Sequence, residues 1–257
     1  MANAAAMTSL LGSKAAVAVR PTAFSGKRTS RVQAVRNVVV SAADRQVWFP
    51  GNEPAAHLDG SMPGDYGFDP LSLGSDPKIL KWFQQAELVH ARTAMTAVAG
   101  ILFPAVATKA GVLNVPEWYE AGSVWVKNNP GFPFASLLFI QIVLTGWVET
   151  KRLMDFQKPG TQDNWLGEGG QFKPMDNGYP GGAFFDPFGL SRGSEAQLRK
   201  YQDNEIKNGR LAMVAFLGFI AQHAATGKGP IDNLVDHINN PTGVTFATNG
   251  VSLPFVR

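Results

Sequence analysis

The sequence predicts an all-α membrane protein with three transmembrane helices, the first and third of which cross as a pseudo-two-fold pair. Two observations carry this prediction. Three long stretches could cross a bilayer, which takes roughly 20 helical residues. The first and third stretches also share a motif of acidic, polar, basic and small residues at a constant offset. Such duplication is typical of internal structural repeats in membrane proteins.

The first 43 residues differ in composition from the rest of the chain. They contain six basic residues and no acidic one, and they are rich in Ala, Ser, Thr and Val. This is typical of an organelle transit peptide, so we expect residues 1–43 to be removed and residues 44–257 to form the mature domain. The alternative is a basic arm that is retained. The six charges exceed the net charge of +3, so the basic pI gives no reason to expect nucleic-acid binding.

The candidate spans are followed by one shorter helix. The spans cover about residues 79–108, 132–152 and 195–226. Each can also be read as a buried helix of a soluble protein. Beyond the third span, a Gly-Pro start and a one-sided set of apolar residues predict an amphipathic helix over about residues 230–239, suited to a membrane surface.

The repeat joins the first and third spans residue by residue. The segments "ELVHARTAMTAVAGI" (87–101) and "EIKNGRLAMVAFLGF" (205–219) match at an offset of 118. Upstream, "GFDPLSLG" (67–74) matches "FFDPFGLS" (184–191) at an offset of 117. The matched pairs that carry chemistry are Glu87/Glu205, His90/Asn208 and Arg92/Arg210.

The repeated charges predict how the two helices meet. Glu and Arg are five residues apart in each repeat, so they lie about 140° apart around one helix and do not face each other. If the helices cross, Glu87 can meet Arg210 and Glu205 can meet Arg92. Each pairing cancels two charges in a low-dielectric setting, where an unpaired partner would be costly. The alternative is two surface-exposed helix ends.

Further nitrogen and oxygen donors stand singly along the predicted helices. The chain has no cysteine, which excludes disulfides, cysteine-ligated zinc, iron–sulfur clusters and thioether-linked haem. Scattered donors suit several metal centres that each arrive with most of their coordination filled, such as a tetrapyrrole holding Mg²⁺. Taken one at a time, each can equally be a structural polar group. The donors are Gln141, Glu149 with Arg152 one turn beyond, Gln222, His223 and His237.

These residues resemble a known family. "ELVHARTAM" and "EIKNGRLAM", each preceded by "FDP", are similar to the two signature helices of the light-harvesting chlorophyll a/b-binding family. The resemblance covers about residues 44–257. Three further segments are most similar to the photosystem I peripheral antenna branch: "WFPG" (48–51), "GVLNVPEWYEAG" (111–122) and "GYPGGAFFDP" (178–187).

The resemblance implies a location and a function. It implies a multi-pass protein of the chloroplast thylakoid membrane, with its N-terminus in the stroma and the amphipathic helix on the lumenal side. Such a protein is not an enzyme: it absorbs light and passes excitation energy to photosystem I. Its expected partners are the photosystem I core, neighbouring antenna subunits and thylakoid lipids. The alternative within the family is a photosystem II antenna or a photoprotective, dissipative member.

The resemblance also implies pigments and their ligands. The cofactors would be chlorophyll a, chlorophyll b and carotenoids such as lutein, violaxanthin or a relative, with room for a structural phospholipid. Magnesium would enter only through chlorophyll. Arg92, Arg210 and Arg152 would be ion-pair partners, and His223 is a weaker ligand candidate beside Gln222. The implied axial ligands are Glu87, His90, Gln141, Glu149, Glu205, Asn208, Gln222 and His237.

Two unrelated functions compete with this interpretation. Glu87-x-x-His90 is half of a carboxylate di-iron signature, which would indicate a membrane oxidase. The repeat supplies Asn208 where that scheme needs a second histidine. A transporter would also have repeated helices with charges inside the membrane, but three spans are few for a substrate path.

Overall fold

The computed structural model describes residues 45–162 and 173–252, so the predicted transit peptide lies outside the described residues. The described part is mostly helical, with one small hairpin. In chain order its elements are α1 (Pro77–Lys109), α2 (Trp118–Asn128), α3 (Phe134–Gln157), β1 (Lys173–Asp176), β2 (Tyr179–Gly181), α4 (Gly182–Phe185), a short 3-10 helix (Leu190–Arg192), α5 (Glu195–Thr226) and α6 (Pro230–Asn239).

Local sequence signals set the ends of the two repeated helices. The Asp76 side chain accepts a hydrogen bond from the Lys78 N–H at 2.8 Å, and a proline occupies the first helical position of α1. Ser194 caps α5 in the same way through the Gln197 N–H. Helix α5 ends at Thr226. The next residue, Gly227, has a φ of 68°, the left-handed conformation that glycine adopts without strain.

The structure departs from the sequence predictions in three places. Helix α3 continues to Gln157, past the expected end at residue 152. Helix α2 was not predicted from the sequence. It has only 11 residues, and many of them, such as its Trp, Val and Ser, are not strong helix formers. The segment 167–182, whose glycines and prolines are typical of a loop, contains in its described part the antiparallel β1–β2 hairpin. Its turn passes through Gly178, at φ 83°.

Two of the described helices, α1 and α3, are long and apolar enough to cross a membrane. Helix α5 has the length, since 32 residues span about 48 Å at 1.5 Å per residue. It lacks the uniform composition, because residues 195–210 carry seven charged side chains. The charged first half of α5 therefore needs polar or oppositely charged neighbours, whereas its second half suits an apolar environment.

The core of the described chain is a narrow seam between α1 and α5, which pack against each other. Small residues dominate the seam, so the two backbones approach closely. A Cβ on Gly209 would overlap the Cβ of Ala91. Three buried positions on each helix repeat at the offset of 118; they are Leu88, Ala91 and Ala94 on α1 with Ile206, Gly209 and Ala212 on α5.

Candidate functional site

Two reciprocal ion pairs join α1 and α5. Arg210 Nε donates to Glu87 Oε1 at 2.7 Å, and its Nη2 donates to Glu87 Oε2 at 3.3 Å. Arg92 Nε donates to Glu205 Oε1 at 2.6 Å. These are the two pairs expected from the repeat, and they place each carboxylate beside an arginine of the opposite helix.

Each arginine also holds a loop. Arg210 Nη1 donates to the carbonyl of Gly64 at 2.8 Å, and Arg92 Nη1 donates to the carbonyl of Gly178 at 2.9 Å. Both glycines have positive φ, 72° and 83°. The pseudo-symmetry of the helices thus extends to the two segments that precede them, and the arginines couple helix packing to loop position.

Close packing against these glycines seals the two loops onto the helix pair. A Cβ on Gly64 would run into the side chain of Ile206, and a Cβ on Gly178 would run into Leu88. Tyr179 is buried beside Leu88 and Ile206, and the Arg92 guanidinium lies 5.5 Å from its ring centre. Burial raises the pKa of the Tyr179 hydroxyl well above its ordinary value, so this residue stays neutral.

The paired side chains keep an outer surface. Between 28% and 40% of each of the four remains exposed. A carboxylate has about four lone-pair positions, and an arginine on one side does not use all of them. Glu87 and Glu205 can therefore be neutralised by arginine and still coordinate a hard cation from the outward side.

His90 and Asn208 present acceptor atoms outward in the same manner. His90 Nδ1 lies 2.7 Å from the carbonyl of Ala86. Since a carbonyl only accepts, Nδ1 carries the proton of the neutral ring and Nε2 keeps its lone pair. Asn208 Nδ2 donates to the carbonyl of Asn204 at 2.8 Å, which leaves Oδ1. Both side chains are exposed, so each helix carries an oriented candidate metal ligand one turn after its glutamate.

Gln141 and His237 are oriented by the same principle. Gln141 Nε2 donates to Thr145 Oγ1 at 2.6 Å, which leaves Oε1 on the exposed face of α3. His237 Nδ1 lies 2.7 Å from the carbonyl of Val244, which leaves Nε2 of this exposed residue as the acceptor nitrogen. Each side chain donates an N–H to another group of the protein and keeps a lone pair for a ligand.

Glu149 is bound by Arg152 on the same helix, as the sequence spacing allows. Arg152 donates to Glu149 Oε2 from Nε, at 2.9 Å, and from Nη2. Its Nη1 donates to Gln85 Oε1 on α1 at 3.1 Å. Arg152 therefore links α3 to α1 while neutralising Glu149, and Glu149 Oε1 lies outside this contact.

The structure distinguishes Gln222 from its neighbour His223. Gln222 is exposed on α5. The His223 ring stacks on Tyr119 of α2, with the ring centres 3.9 Å apart, and it meets Trp118 edge-on. His223 Nδ1 is buried without a hydrogen-bond partner in the described part of the chain. The histidine is thus enclosed by α2, and the glutamine is the residue whose side chain faces outward.

Aspartates of the two "FDP" segments close the loops before the helices. Asp69 accepts backbone N–H groups from Leu73 and Gly74 and lies 2.7 Å from His57 Nε2. Asp186 accepts the backbone N–H and the hydroxyl of Ser191, and the Leu190 N–H. The Gly74 N–H lowers the pKa of Asp69, and the Ser191 hydroxyl lowers that of Asp186.

An open cleft of about 740 Å³ lies beside the first of these loops. Trp48, Phe68 and Phe83 contribute apolar walls, and Asp69 and Glu87 contribute polar edges. Trp48 and Phe68 pack edge to face with their ring centres 4.9 Å apart. The cleft can therefore take an apolar ligand that has a polar group.

Across residues 45–162 and 173–252, no three His, Asp or Glu side chains form a group that could hold a metal ion.

The family model described as chlorophyll A-B binding protein matches residues 54–224, more than half of the chain. The chain belongs to the chlorophyll a/b-binding protein family. Members of this family harvest light and are not enzymes, so the di-iron oxidase alternative is wrong.

Relatives within the chlorophyll a/b-binding family match most of the chain. A chloroplastic chlorophyll a-b binding protein of Petunia hybrida is 49% identical over 216 residues, which are 82% of this chain and 78% of the relative. Photosystem I chlorophyll a/b-binding protein 5 of Arabidopsis thaliana is 48% identical over 207 residues, 78% of each chain. Protein 6 of the same series is 48% identical over 200 residues, 77% of this chain and 72% of the relative.

The donor set fits chlorophyll. Its magnesium already has four ring nitrogens, so it needs one axial donor, and hard Mg²⁺ takes carboxylate, amide oxygen, imidazole or water. The outward atoms of Glu87, His90, Glu205 and Asn208 are of these kinds. Each is held by an arginine or a backbone carbonyl, as the ligands of tuned metal sites commonly are.

Two features of the site escaped sequence reasoning. The glycine carbonyls that bind Arg92 and Arg210 leave no side-chain signal. Tyrosines close to both glycines, in "GDYGFDP" and "GYPGGAFFDP", were an available hint of a longer repeat. The stacking of α2 on His223 could be suspected from the aromatic pair in "EWYEAG", but nothing in the sequence placed that pair against α5.

Proposed function

We propose that this chain is a thylakoid antenna protein that binds chlorophyll a, chlorophyll b and carotenoids and passes excitation energy to photosystem I. Two relatives at 48% identity are named photosystem I chlorophyll a/b-binding proteins, which supports this branch of the family. Its partners are then the photosystem I core, neighbouring antenna subunits and thylakoid lipids. The alternative is a photosystem II antenna or a dissipative member of the same family.

The observation that carries the proposal is the set of neutralised or oriented donors whose free lone pairs face out of the protein. Bound chlorophyll supplies the absorption of light. The chain would supply ligands to chlorophyll magnesium, directly or through a water, and thereby set the position and orientation of those rings. The proposed ligands are Glu87, His90, Gln141, Glu149, Glu205, Asn208, Gln222 and His237, with Gln141 acting directly or through a water.

The cleft beside Asp69 supports a carotenoid site. Its aromatic walls suit a polyene chain, and the polar atoms at its edge suit a hydroxylated end ring such as that of lutein or violaxanthin. Asp186 marks the pseudo-equivalent position before α5. A structural phospholipid would be a further ligand of the assembled protein.

The proposed topology has three spans. Helix α5 crosses the membrane beside α1, because two of the seven charges in its first half are paired across the seam, Arg210 with Glu87 and Glu205 with Arg92. The amphipathic α6 lies on the lumenal surface, the N-terminus is in the stroma, and residues 1–43 are a cleaved chloroplast transit peptide. The chloroplastic names of the relatives support this location.

The test is refolding of the full chain with chlorophylls a and b and carotenoids in detergent. We expect His90→Leu to lose one chlorophyll per protein and the excitonic circular dichroism that it contributes. His90→Asn should retain that pigment, because asparagine occupies the matching position in α5. The control is Thr96→Val on the exposed surface of α1, which removes a hydroxyl that donates to the Arg92 carbonyl of its own helix.

The outcomes separate the levels of the proposal. A wild-type chain that takes up no pigment would contradict the antenna function. A His90→Leu variant with full pigment content would contradict the ligand role of His90 alone. Co-purification of the imported protein with photosystem II instead of photosystem I would favour the alternative.

A further inference from the structure

Gln141 and Thr145 form an isolated polar pair on the exposed surface of α3. They are four residues apart, so they lie on the same helical face. Gln141 Nε2 donates to Thr145 Oγ1 at 2.6 Å. Both side chains are exposed on a helix whose neighbouring residues, such as Ile142 and Leu144, are apolar.

The pair solves a problem that is specific to an amide ligand. A glutamine side chain ends in one oxygen, which can coordinate a metal or its bound water, and one NH2 group, which cannot. The two ends have nearly the same shape, so an unrestrained amide presents either of them. An acceptor on the helix side holds the NH2 group and leaves the oxygen facing outward. In this structure the Thr145 hydroxyl accepts the amide N–H, and its β-branched side chain has few rotamers.

The other oriented donors use the backbone for the same purpose. A main-chain carbonyl accepts an N–H in each case: that of Ala86 from His90, that of Asn204 from Asn208, and that of Val244 from His237. A side-chain substitution cannot remove those acceptors. At Gln141 the acceptor is a side chain, and its contribution can be measured by mutation.

We propose that Thr145 is a positioning residue for the chlorophyll at Gln141: its hydroxyl binds the amide N–H and directs Oε1 toward the magnesium or its water. This inference rests on the proposed ligand role of Gln141. Groups that orient a metal ligand typically change affinity about 10-fold to 100-fold when they are removed. We expect an effect near the lower end, about 10-fold, because the amide can still rotate into the productive orientation without Thr145.

The experiment compares variants of the full chain refolded with chlorophylls and carotenoids. Thr145→Val keeps the shape of the side chain but removes the acceptor, and it should lower occupancy of a single chlorophyll. The absorption band lost at low temperature should be the band that Gln141→Leu loses. Thr145→Ser restores a hydroxyl and should recover both pigment and band. Thr150→Val is the matched control on α3, because the Thr150 hydroxyl donates to a backbone carbonyl of its own helix, that of Gly146.

Each outcome decides one level of the argument. Loss of the same band in Thr145→Val and Gln141→Leu, with recovery in Thr145→Ser, supports the positioning role. A normal Thr145→Val complex beside a depleted Gln141→Leu complex overturns the role of Thr145 but leaves Gln141 as a ligand. Full pigment content in Gln141→Leu overturns the ligand assignment itself. Equal losses in Thr145→Val and Thr150→Val show a general effect on α3 and overturn the specific role.

Discussion

Arg92 and Arg210 each combine two contacts, one with a carboxylate of the opposite helix and one with a glycine carbonyl of a loop. A guanidinium suits this task because it stays charged and offers five donors in a fixed plane. Replacing one arginine removes the compensating charge and also leaves a loop carbonyl without its donor. The cost of the substitution therefore comes partly from the abandoned carboxylate.

We predict that Arg210→Leu destabilises the pigment complex more than the double variant Glu87→Gln/Arg210→Leu does. The double variant has no unpaired charge, and its glutamine still offers an oxygen to magnesium. Coupled pairs of this kind show interaction energies of about 0.5–3 kcal/mol in double-mutant cycles. The measurement is thermal loss of visible circular dichroism for wild type, both single variants and the double variant. Strictly additive effects would show that the pair contributes no coupling.

At the scale of elements, the crossing of α1 and α5 depends on the absence of a side chain at Gly209. Its hydrogen faces Ala91, and a methyl group there would occupy the same space as the Ala91 methyl. Gly218 lies on the same helix, and a Cβ there would meet nothing within 4 Å. The two glycines therefore separate the effect of packing from that of helix propensity.

We predict that Gly209→Ala destabilises the complex while Gly218→Ala does not. Overpacking of a tight contact costs roughly 1–3 kcal/mol, whereas alanine in a helix gains about 1 kcal/mol over glycine. The compensating double variant Ala91→Gly/Gly209→Ala moves the methyl group to the other helix and should recover much of the loss. Thermal denaturation in detergent measures all three. Equal stability of Gly209→Ala and Gly218→Ala would contradict the close crossing.

At the scale of the whole molecule, the described chain has a small core and a large apolar surface. Helix α3 has no buried residue, and large side chains such as Phe139, Leu144 and Trp147 are exposed. Soluble proteins rarely expose so much contiguous apolar surface. We expect pigments and lipids to cover this surface, so the folded protein and its ligands form one cooperative unit.

The proposed topology predicts that the ends of α5 lie on opposite sides of the membrane. The chain has no native cysteine, so a single introduced cysteine gives an unambiguous label. We expect Glu195→Cys, at the start of α5, to react with a membrane-impermeant maleimide from the stromal side of intact thylakoids. Asn239→Cys, at the end of α6, should react only after the membrane is opened. Reaction of both from one side would show that α5 does not span.

The sequence alone predicted the ends of α1, α5 and α6 well, because their signals are local or duplicated, whereas α3 continues past its expected end to Gln157. Helices α1 and α6 begin and end within two residues of the expected positions. The inter-helix pairs of Glu87 and Glu205 could be anticipated because the offset of 118 implies a reciprocal arrangement. The third span was expected from length and from the repeat, while the charged half of α5 keeps its composition short of a membrane helix.

Composition, the repeat and the spacing of charged residues were thus enough to predict a mostly helical protein, the ends of α1 and α5 and the reciprocal pairing of these two helices, and the resemblance of the two motifs gave the family. Tertiary structure alone decided that the arginines also bind Gly64 and Gly178, that the segment before α4 forms a hairpin, and that His223 is enclosed by Trp118 and Tyr119 while Gln222 faces outward. The physical reason is range. Periodicity and duplication record what a residue's own helix or its repeat requires, whereas a backbone carbonyl or an aromatic ring from a distant segment is placed only when the whole chain has packed.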